Sequence, residues 1–181
     1  MDKIASTEIA LSKRKIVLML IGSVLFVFIG LWFIIKPPEM ENSFFGNKIL
    51  VLITGVAAVL FFGMAAVMFL RKMQDRMPGL IVDSEGLIDN SSAVSAGRIA
   101  WKDINGLSVI EIQRQKLIMI EVSNPEEYID RQTSGFKKRI MKMNMSAYGT
   151  PISISSNTLI ISFDKLMDLL NDGLNKSRNN Q

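Results

Sequence analysis

A basic cluster in the C-terminal half of the chain is the first group of residues whose types and spacing indicate a chemistry. Four cations form the densest basic run outside the N-terminal flank: Lys137, Lys138, Arg139 and Lys142. Phe136, Ile140 and Met143 recur at helical spacing in the same segment, which predicts an amphipathic helix. A basic amphipathic helix can bind the anionic surface of a membrane. The alternative is a helix that packs its apolar residues on a sheet and leaves its lysines in water.

Serines and a lysine near the C-terminus form a second pattern that could do chemistry. Three serines precede Lys165 in the sequence: Ser153, Ser155 and Ser156. A Ser–Lys pair can supply a nucleophile and its base, but the serine must be activated by an oriented base, which this spacing does not indicate. Because Ser153 and Ser155 alternate with isoleucines, they are typical of the outward face of a strand. The adjacent Glu126 and Glu127 suit the first turn of a helix.

The composition excludes several kinds of site. The chain has no Cys and no His, so it has no disulfide framework, no Cys/His metal site, and no thiol or imidazole for catalysis. Glycine-rich phosphate loops and the spaced acidic residues of a calcium loop are absent from the sequence as well. We therefore predict no catalytic residue, no cofactor and no metal ion, and we predict that the protein is not an enzyme.

Two uncharged apolar segments dominate the N-terminal half. They cover residues 16–35 and 49–70, which are 20 and 22 residues long. A helix needs about 20 apolar residues to cross the hydrocarbon core of a bilayer. Because the backbone must satisfy its hydrogen bonds internally there, each segment is predicted to be a transmembrane helix. Neither segment contains the ionisable residues that mark proton or ion paths, which argues against a transporter.

The charges around these segments predict their orientation. Seven basic residues lie outside the pair of segments: Lys3, Lys13, Arg14, Lys15, Arg71, Lys72 and Arg76. The loop between the segments carries only Lys36 and Lys48. Since basic flanks are retained in the cytoplasm, we expect a multi-pass protein of the cell (inner or plasma) membrane with both termini cytoplasmic. The predicted organisation is a basic cytoplasmic tail at 1–15, a transmembrane hairpin at 16–70 and a cytoplasmic domain at 77–181.

Short apolar runs separated by turn residues predict an α+β domain after the hairpin. The predicted strands cover a hairpin at residues 80–88 and the segments 98–104, 107–112 and 117–122, and residues 152–161 are predicted to be a final strand or a hairpin that turns at Ser156 and Asn157. Helices are predicted from 125 to about 145, with a break near 133–135, and from 163 to 174. Ile99 and Trp101 should share the buried face of one strand. This order predicts a small β-barrel or curved antiparallel sheet that a C-terminal helix covers.

Four segments of this domain carry a resemblance to a known family. They are GLIVDSEGLIDN at 79–90, RIAWKDI at 98–104, NPEEYI at 124–129 and YGTPISIS at 148–155. With the two apolar segments, the chain from about residue 8 to about 175 resembles bacterial two-transmembrane-helix membrane proteins with a pleckstrin-homology-like cytoplasmic domain. The resemblance implies a cytoplasmic barrel with a capping helix, and it implies no reaction.

The first hairpin turn departs from the phosphoinositide-binding members of the wider pleckstrin-homology class. Those domains resemble one another in carrying Lys or Arg around this loop. Here the turn contains Asp83 and Glu85, and residues 90–97 contain no basic residue. Because an acidic turn repels a phosphorylated headgroup, no phosphoinositide site is expected there.

These observations predict a non-enzymatic, membrane-anchored protein. We expect its cytoplasmic domain to bind a protein or peptide partner or the membrane surface, with the lipid bilayer and a protein partner or self-association as its contacts. There are two alternative functions: the protein is an accessory subunit of a membrane enzyme or transporter, or its domain binds lipid. Residues 77–181 carry twelve basic and twelve acidic residues, which argues against nucleic-acid binding. No small-molecule substrate is identified.

Overall fold

The chain forms two compact units, which we describe from a computed structural model. The structure describes residues 6–38, 47–92 and 94–179. One unit is Lys13–Asp75, and the other combines Met1–Ser12 with Arg76–Gln181. The second unit is therefore assembled from the residues on both sides of the first.

Helices α1 (Lys13–Ile35) and α2 (Lys48–Gln74) form the first unit. Both are long and apolar enough to cross a membrane, as the sequence predicts. Asn47 begins α2 by accepting hydrogen bonds from the amides of Ile49 and Leu50 at 3.1 and 3.3 Å. Lys13 donates to the carbonyl of Met73 at 2.6 Å, which gives a charged partner to a carbonyl that the helix end leaves free. Most of the predicted loop, residues 39–46, lies outside the described residues.

The two helices meet at a pair of glycines. A Cβ on Gly30 would lie 2.9 Å from the carbonyl oxygen of Gly55, and a Cβ on Gly55 would lie 2.8 Å from the carbonyl oxygen of Gly30. Both contacts are too short for any side chain, so the backbones pack directly against each other. Phe26 of α1 stacks on Phe62 of α2 with ring centroids 4.4 Å apart. The hairpin therefore has a defined helix crossing.

In the part of the chain that the structure describes, the second unit contains two antiparallel sheets and three α-helices. The first sheet has the order β1 (Thr7–Ile9), β2 (Leu80–Val82), β3 (Gly86–Asp89) and β4 (Gly97–Ala100). The second has the order β5 (Ile104–Ile112), β6 (Gln115–Val122) and β7 (Ile152–Ile154). The helices are α3 (Pro125–Asp130), α4 (Gly135–Tyr148) and α5 (Phe163–Asn179). The predicted antiparallel α+β domain with a C-terminal helix is confirmed.

Among the described residues there is no closed barrel, which is one of the two forms that the sequence predicts. The described strands form separate ladders of four and three strands. The chain leaves β4 through a 3₁₀ turn at Trp101–Asp103, which ends the first ladder before β5 begins the second. The predicted strand at 98–104 is therefore divided at Trp101. Of the strand or hairpin predicted at 152–161, only β7 forms a strand, and a second 3₁₀ turn (Ser156–Thr158) follows it.

The segment predicted as a basic tail contains the first strand of the domain. Thr7 lies opposite Val82, and Ile9 lies opposite Leu80. A three-residue strand is too short to show a reliable alternation, so the sequence pattern did not reveal it. The predicted domain at 77–181 therefore lacks one strand of the first sheet, and α1 begins at Lys13 rather than at residue 16.

Trp101 lies at the centre of the domain, where it is 3% exposed. Its predicted burial is confirmed, although it occupies a turn and not a strand. The indole Nε1 donates to the carbonyl of Asp83 at 2.9 Å, and the Trp101 amide donates to the carbonyl of Glu85 at 3.0 Å. On its other side the ring lies against Gly173 of α5, where an added Cβ would be 2.5 Å from Cζ2.

We predict that Gly173→Ala destabilises the domain by about 1–3 kcal/mol through overpacking against the Trp101 ring. Alanine favours a helix over glycine by about 1 kcal/mol, so steric conflict must outweigh a local gain. The measurement is amide hydrogen exchange of α5 in the detergent-solubilised protein. The control is Gly135→Ala, where an added Cβ meets nothing within 4 Å. Equal protection of α5 in both variants would contradict the packing.

We also predict that Gly30→Val separates α1 from α2, because the contacting carbonyl of Gly55 belongs to a helix backbone and cannot move aside. The chain has no Cys, so a Phe26→Cys/Phe62→Cys pair reports the crossing through its disulfide yield. The yield should fall several-fold with Gly30→Val. It should stay unchanged with Gly22→Val, where a Cβ meets nothing within 4 Å. Equal losses in both backgrounds would refute the crossing.

Candidate membrane-surface site

The basic cluster lies on α4, whose two ends are set by local residues. Ser134 caps the first turn and accepts a hydrogen bond from the amide of Lys137 at 3.4 Å. Gly149 ends the helix in the left-handed conformation, with φ of 77°. The predicted break near 133–135 is confirmed, because it separates α3 from α4. The cluster therefore occupies a separate helix of four turns.

The buried side of α4 is centred on Met141, which is fully buried. Phe136 and Met143, by contrast, are 48% and 58% exposed. The alternative in which Phe136, Ile140 and Met143 together pack on the sheet is therefore wrong for two of the three residues. A rotation of 100° per residue places Phe136 and Met143 far from the direction of Met141.

The four cations divide into two pairs. Lys137 is half-buried and its Nζ lies 3.5 Å from the carbonyl oxygen of Ser95. Lys138 forms an ion pair with Asp130 at 3.4 Å. Arg139 and Lys142 are exposed and lie on the side of the helix that faces away from Met141. Only the second pair is directed outward by the helix, so the predicted patch of Lys137, Lys138, Arg139 and Lys142 is brought together only in part.

The outer face of α4 consists of Phe136, Arg139, Lys142 and Met143. These residues fall within about 120° of the helix circumference at 100° per residue. The helix sequence, GFKKRIMKMNMSAY, contains no Asp or Glu. The outer face thus combines two apolar side chains with two uncompensated cations. This combination suits the boundary between anionic headgroups and acyl chains.

Arg131 holds the α3–α4 segment against the edge of the first sheet. Its guanidinium donates to the carbonyl of Ala96 at 2.9 Å and to the carbonyl of Arg98. The same guanidinium lies 4.0 Å from the centroid of the Tyr128 ring. A side chain, and not another strand, therefore satisfies the Arg98 carbonyl of β4 and the Ala96 carbonyl that precedes this strand. The sequence does not reveal this role, because a single Arg between two helices forms no recognisable pattern.

Tyr128 attaches α3 to the core of the domain. Its hydroxyl donates to Asp103 Oδ2 at 2.7 Å, and the side chain is almost fully buried. Burial, and after it the hydrogen bond to Asp103, raises the pKa of Tyr128 to about 12. A neutral, hydrogen-bonded phenol therefore fixes α3 to the core.

The acidic turn between β2 and β3 is paired within the domain. Arg98 binds Asp83 through two hydrogen bonds at 2.8 and 3.2 Å and lies 3.5 Å from Glu85. The hydrogen bond from Arg98 lowers the pKa of the Asp83 carboxyl below its usual value of 3.8. Because Arg98 is engaged by two carboxylates, the turn keeps a net negative charge. A phosphate group would be repelled from this turn.

The remaining candidates occupy structural positions. Ser155 accepts a hydrogen bond from the amide of Asn157 at 3.1 Å, and Lys165 is exposed in the first turn of α5. Glu126 and Glu127 lie in the first turn of α3, as predicted. In the part of the chain that the structure describes, no group of three acidic residues is placed to hold a metal ion. Beyond α4, these residues therefore define no further site.

We predict that Tyr128 loses its proton only near pH 12, because burial and its bond to Asp103 stabilise the neutral phenol. The chain has two tyrosines, so Tyr148→Phe leaves Tyr128 as the only phenol for an ultraviolet titration. Since the folded pKa is raised, the stabilisation is complete below pH 10 and is lost as the pH rises through about 12. A titration midpoint at pH 10 in the folded protein would contradict this placement.

No protein-family model, curated protein or solved structure matches the chain.

Proposed function

We propose that this is a non-enzymatic, membrane-anchored protein whose domain binds the surface of the anionic cytoplasmic leaflet through the outer face of α4. The observation that supports this proposal is the exposure of Phe136 and Met143 beside Arg139 and Lys142 on a helix without acidic residues. Cations attract anionic headgroups, and the apolar side chains leave water at the interface. The two contributions act on the same surface.

The hairpin is the proposed membrane anchor. α1 and α2 have 23 and 27 residues, against the roughly 20 that a crossing needs. Seven basic residues flank the hairpin and two lie in its loop, which favours cytoplasmic termini in a multi-pass protein of the cell membrane. Pairing of β1 with β2 agrees with this orientation, because the strands lie on either side of the hairpin in sequence.

For the domain we propose a pleckstrin-homology-like fold of the kind found in bacterial two-helix membrane proteins. Its support is the order of the elements: antiparallel sheets of four and three strands, followed by a C-terminal helix. The helix covers the core through Leu166, Leu170 and Leu174, and Gly173 lies against Trp101. This agrees with the capping helix that the resemblance implies.

The attraction between the outer face of α4 and anionic lipid is weak by itself, but the hairpin already holds the domain near the bilayer. Each cation near an anionic leaflet contributes about 1 kcal/mol. Two cations with two partly exposed apolar residues would give marginal binding to a free domain. Since the hairpin already tethers the domain to the bilayer, the contact is intramolecular and its effective concentration is high. We therefore expect α4 to orient the domain and not to recruit it.

Binding of a protein or peptide partner, including a role as accessory subunit, is the second candidate. Val109 and Ile112 are exposed near the end of β5, which is one of the two outer strands of the second sheet. An outer strand with exposed apolar residues can add a strand from another chain. Such binding would depend little on salt or on lipid charge, which separates it from the first candidate.

The test uses the full chain in nanodiscs with and without anionic lipid. Met143→Cys is labelled with an environment-sensitive fluorophore, as the chain has no native Cys. We expect a blue-shifted emission in anionic nanodiscs that reverts as salt rises, because surface charges are screened over about 8–10 Å. Arg139→Gln/Lys142→Gln should abolish the shift.

Two controls make the result specific. Lys102→Gln/Lys165→Gln removes the same charge from exposed positions outside α4 and should leave the shift intact. A probe at Asp168→Cys, on the exposed side of α5, should report water under all conditions. An equal shift in zwitterionic nanodiscs, or one that survives Arg139→Gln/Lys142→Gln, would refute the membrane-surface function.

A further inference from the structure

The segment that precedes α1 is held between two parts of the domain. Residues 7–12, the N-terminal segment, pair with β2 on one side and with residues 158–160 on the other. The amide of Gly79 donates to the carbonyl of Ile9 at 2.8 Å, and the amide of Ile160 donates to the carbonyl of Ala10 at 3.0 Å. The segment therefore joins the first sheet to the chain that leads into α5.

The side chains of this segment alternate between the core and the solvent. Ile9 and Leu11 are 6% and 4% exposed, whereas Glu8 and Ala10 are exposed. Leu11 lies opposite Leu159 in an antiparallel bridge, and both pack against Gly79. Between β2 and residues 158–160 there is thus a groove, the docking groove, that accepts an extended strand with an apolar residue at every second position.

The N-terminal segment precedes the hairpin in the sequence, whereas both sides of the docking groove follow the hairpin. Three residues (10–12) lead from β1 to α1, and five residues (75–79) lead from α2 to β2. Links of this length reach at most about 3.6 Å per residue. On the proposed membrane function, the strand can therefore dock only when the start of α1 and the end of α2 emerge on the same side of the bilayer.

We propose that the docking groove is a binding site for this chain's own N-terminal segment, occupied in cis once the hairpin has inserted and open to the same sequence as a free peptide. Occupation of the groove completes the first sheet and the core around Leu80 and Leu159, both fully buried. The first sheet is therefore complete only when both helices have inserted correctly. The specificity lies in the apolar alternation at Ile9 and Leu11.

The test uses the full chain in nanodiscs with the variant Ile9→Asp/Leu11→Asp. Two carboxylates at buried positions should expel the segment, because unpaired charges are not tolerated in an apolar groove. Hydrogen exchange at the amides of Gly79 and Ile160 should then accelerate at least tenfold. A free peptide of residues 6–12 (STEIALS) should restore their protection, and the same peptide with both Asp substitutions should not. The control variant Glu8→Gln/Ala10→Ser changes exposed positions and should leave exchange unchanged.

Two outcomes would overturn the proposal. The first is unchanged hydrogen exchange at the amides of Gly79 and Ile160 in the Asp variant. The second is the absence of any response to the peptide although the β5–β6 amides of that variant remain protected. If the Asp variant loses protection from hydrogen exchange throughout the domain, the variant Glu8→Cys/Ile81→Cys tests whether the segment docks in cis. These positions lie directly opposite each other in β1 and β2, within reach of a disulfide. A disulfide within one molecule is expected, and a disulfide between molecules or none would refute cis docking. The readouts do not involve α4, so failure here is distinct from failure of lipid binding.

Discussion

Burial of Trp101 against Gly173 is the interaction on which the rest of the domain depends. The indole touches α5 on one side and bonds the β2–β3 turn through its Nε1. One side chain thereby links the first sheet, the connection to the second sheet and the C-terminal helix. An aromatic residue of this size contributes several kcal/mol by burial alone. The absence of a side chain at Gly173 allows the helix to approach closely enough for this contact.

The second constraint is topological. If the hairpin crosses a bilayer as proposed, a domain whose first strand precedes the hairpin and whose second strand follows it can form only when both ends of the hairpin are on one side of that bilayer. The short ladder of β1 is stabilised from both sides, by β2 and by residues 158–160. The membrane unit and the domain are thus linked by chain connectivity, and this link needs no additional contact between them. Closing the loop between such distant strands costs conformational entropy.

The distribution of charge within the domain separates structural from interactive cations. Arg98 and Arg131 are bound by carboxylates, carbonyls and an aromatic ring, so they hold the turn at Asp83 and the edge of β4. Arg139 and Lys142 are instead displayed on a helix that Tyr128 and Arg131 help to hold. A nearly neutral domain can therefore present a local basic surface. The position of each cation, and not the net charge, decides what the surface can bind.

The sequence by itself determined the two apolar helices, the hairpin around the Asp83 turn, the β5–β6 pair, the break before α4 and the helix that begins at Phe163, because each depends on local periodicity or on turn residues. It also placed Trp101 in the core. Only the tertiary structure decided the role of residues 7–9, since a three-residue strand is stabilised by partners more than 70 positions away. It also decided which side of α4 faces outward, because Phe136, Met141 and Met143 are alike in hydrophobicity and only the neighbouring sheet distinguishes them. Local patterns record what a segment can form, whereas long-range packing selects which of its faces is buried.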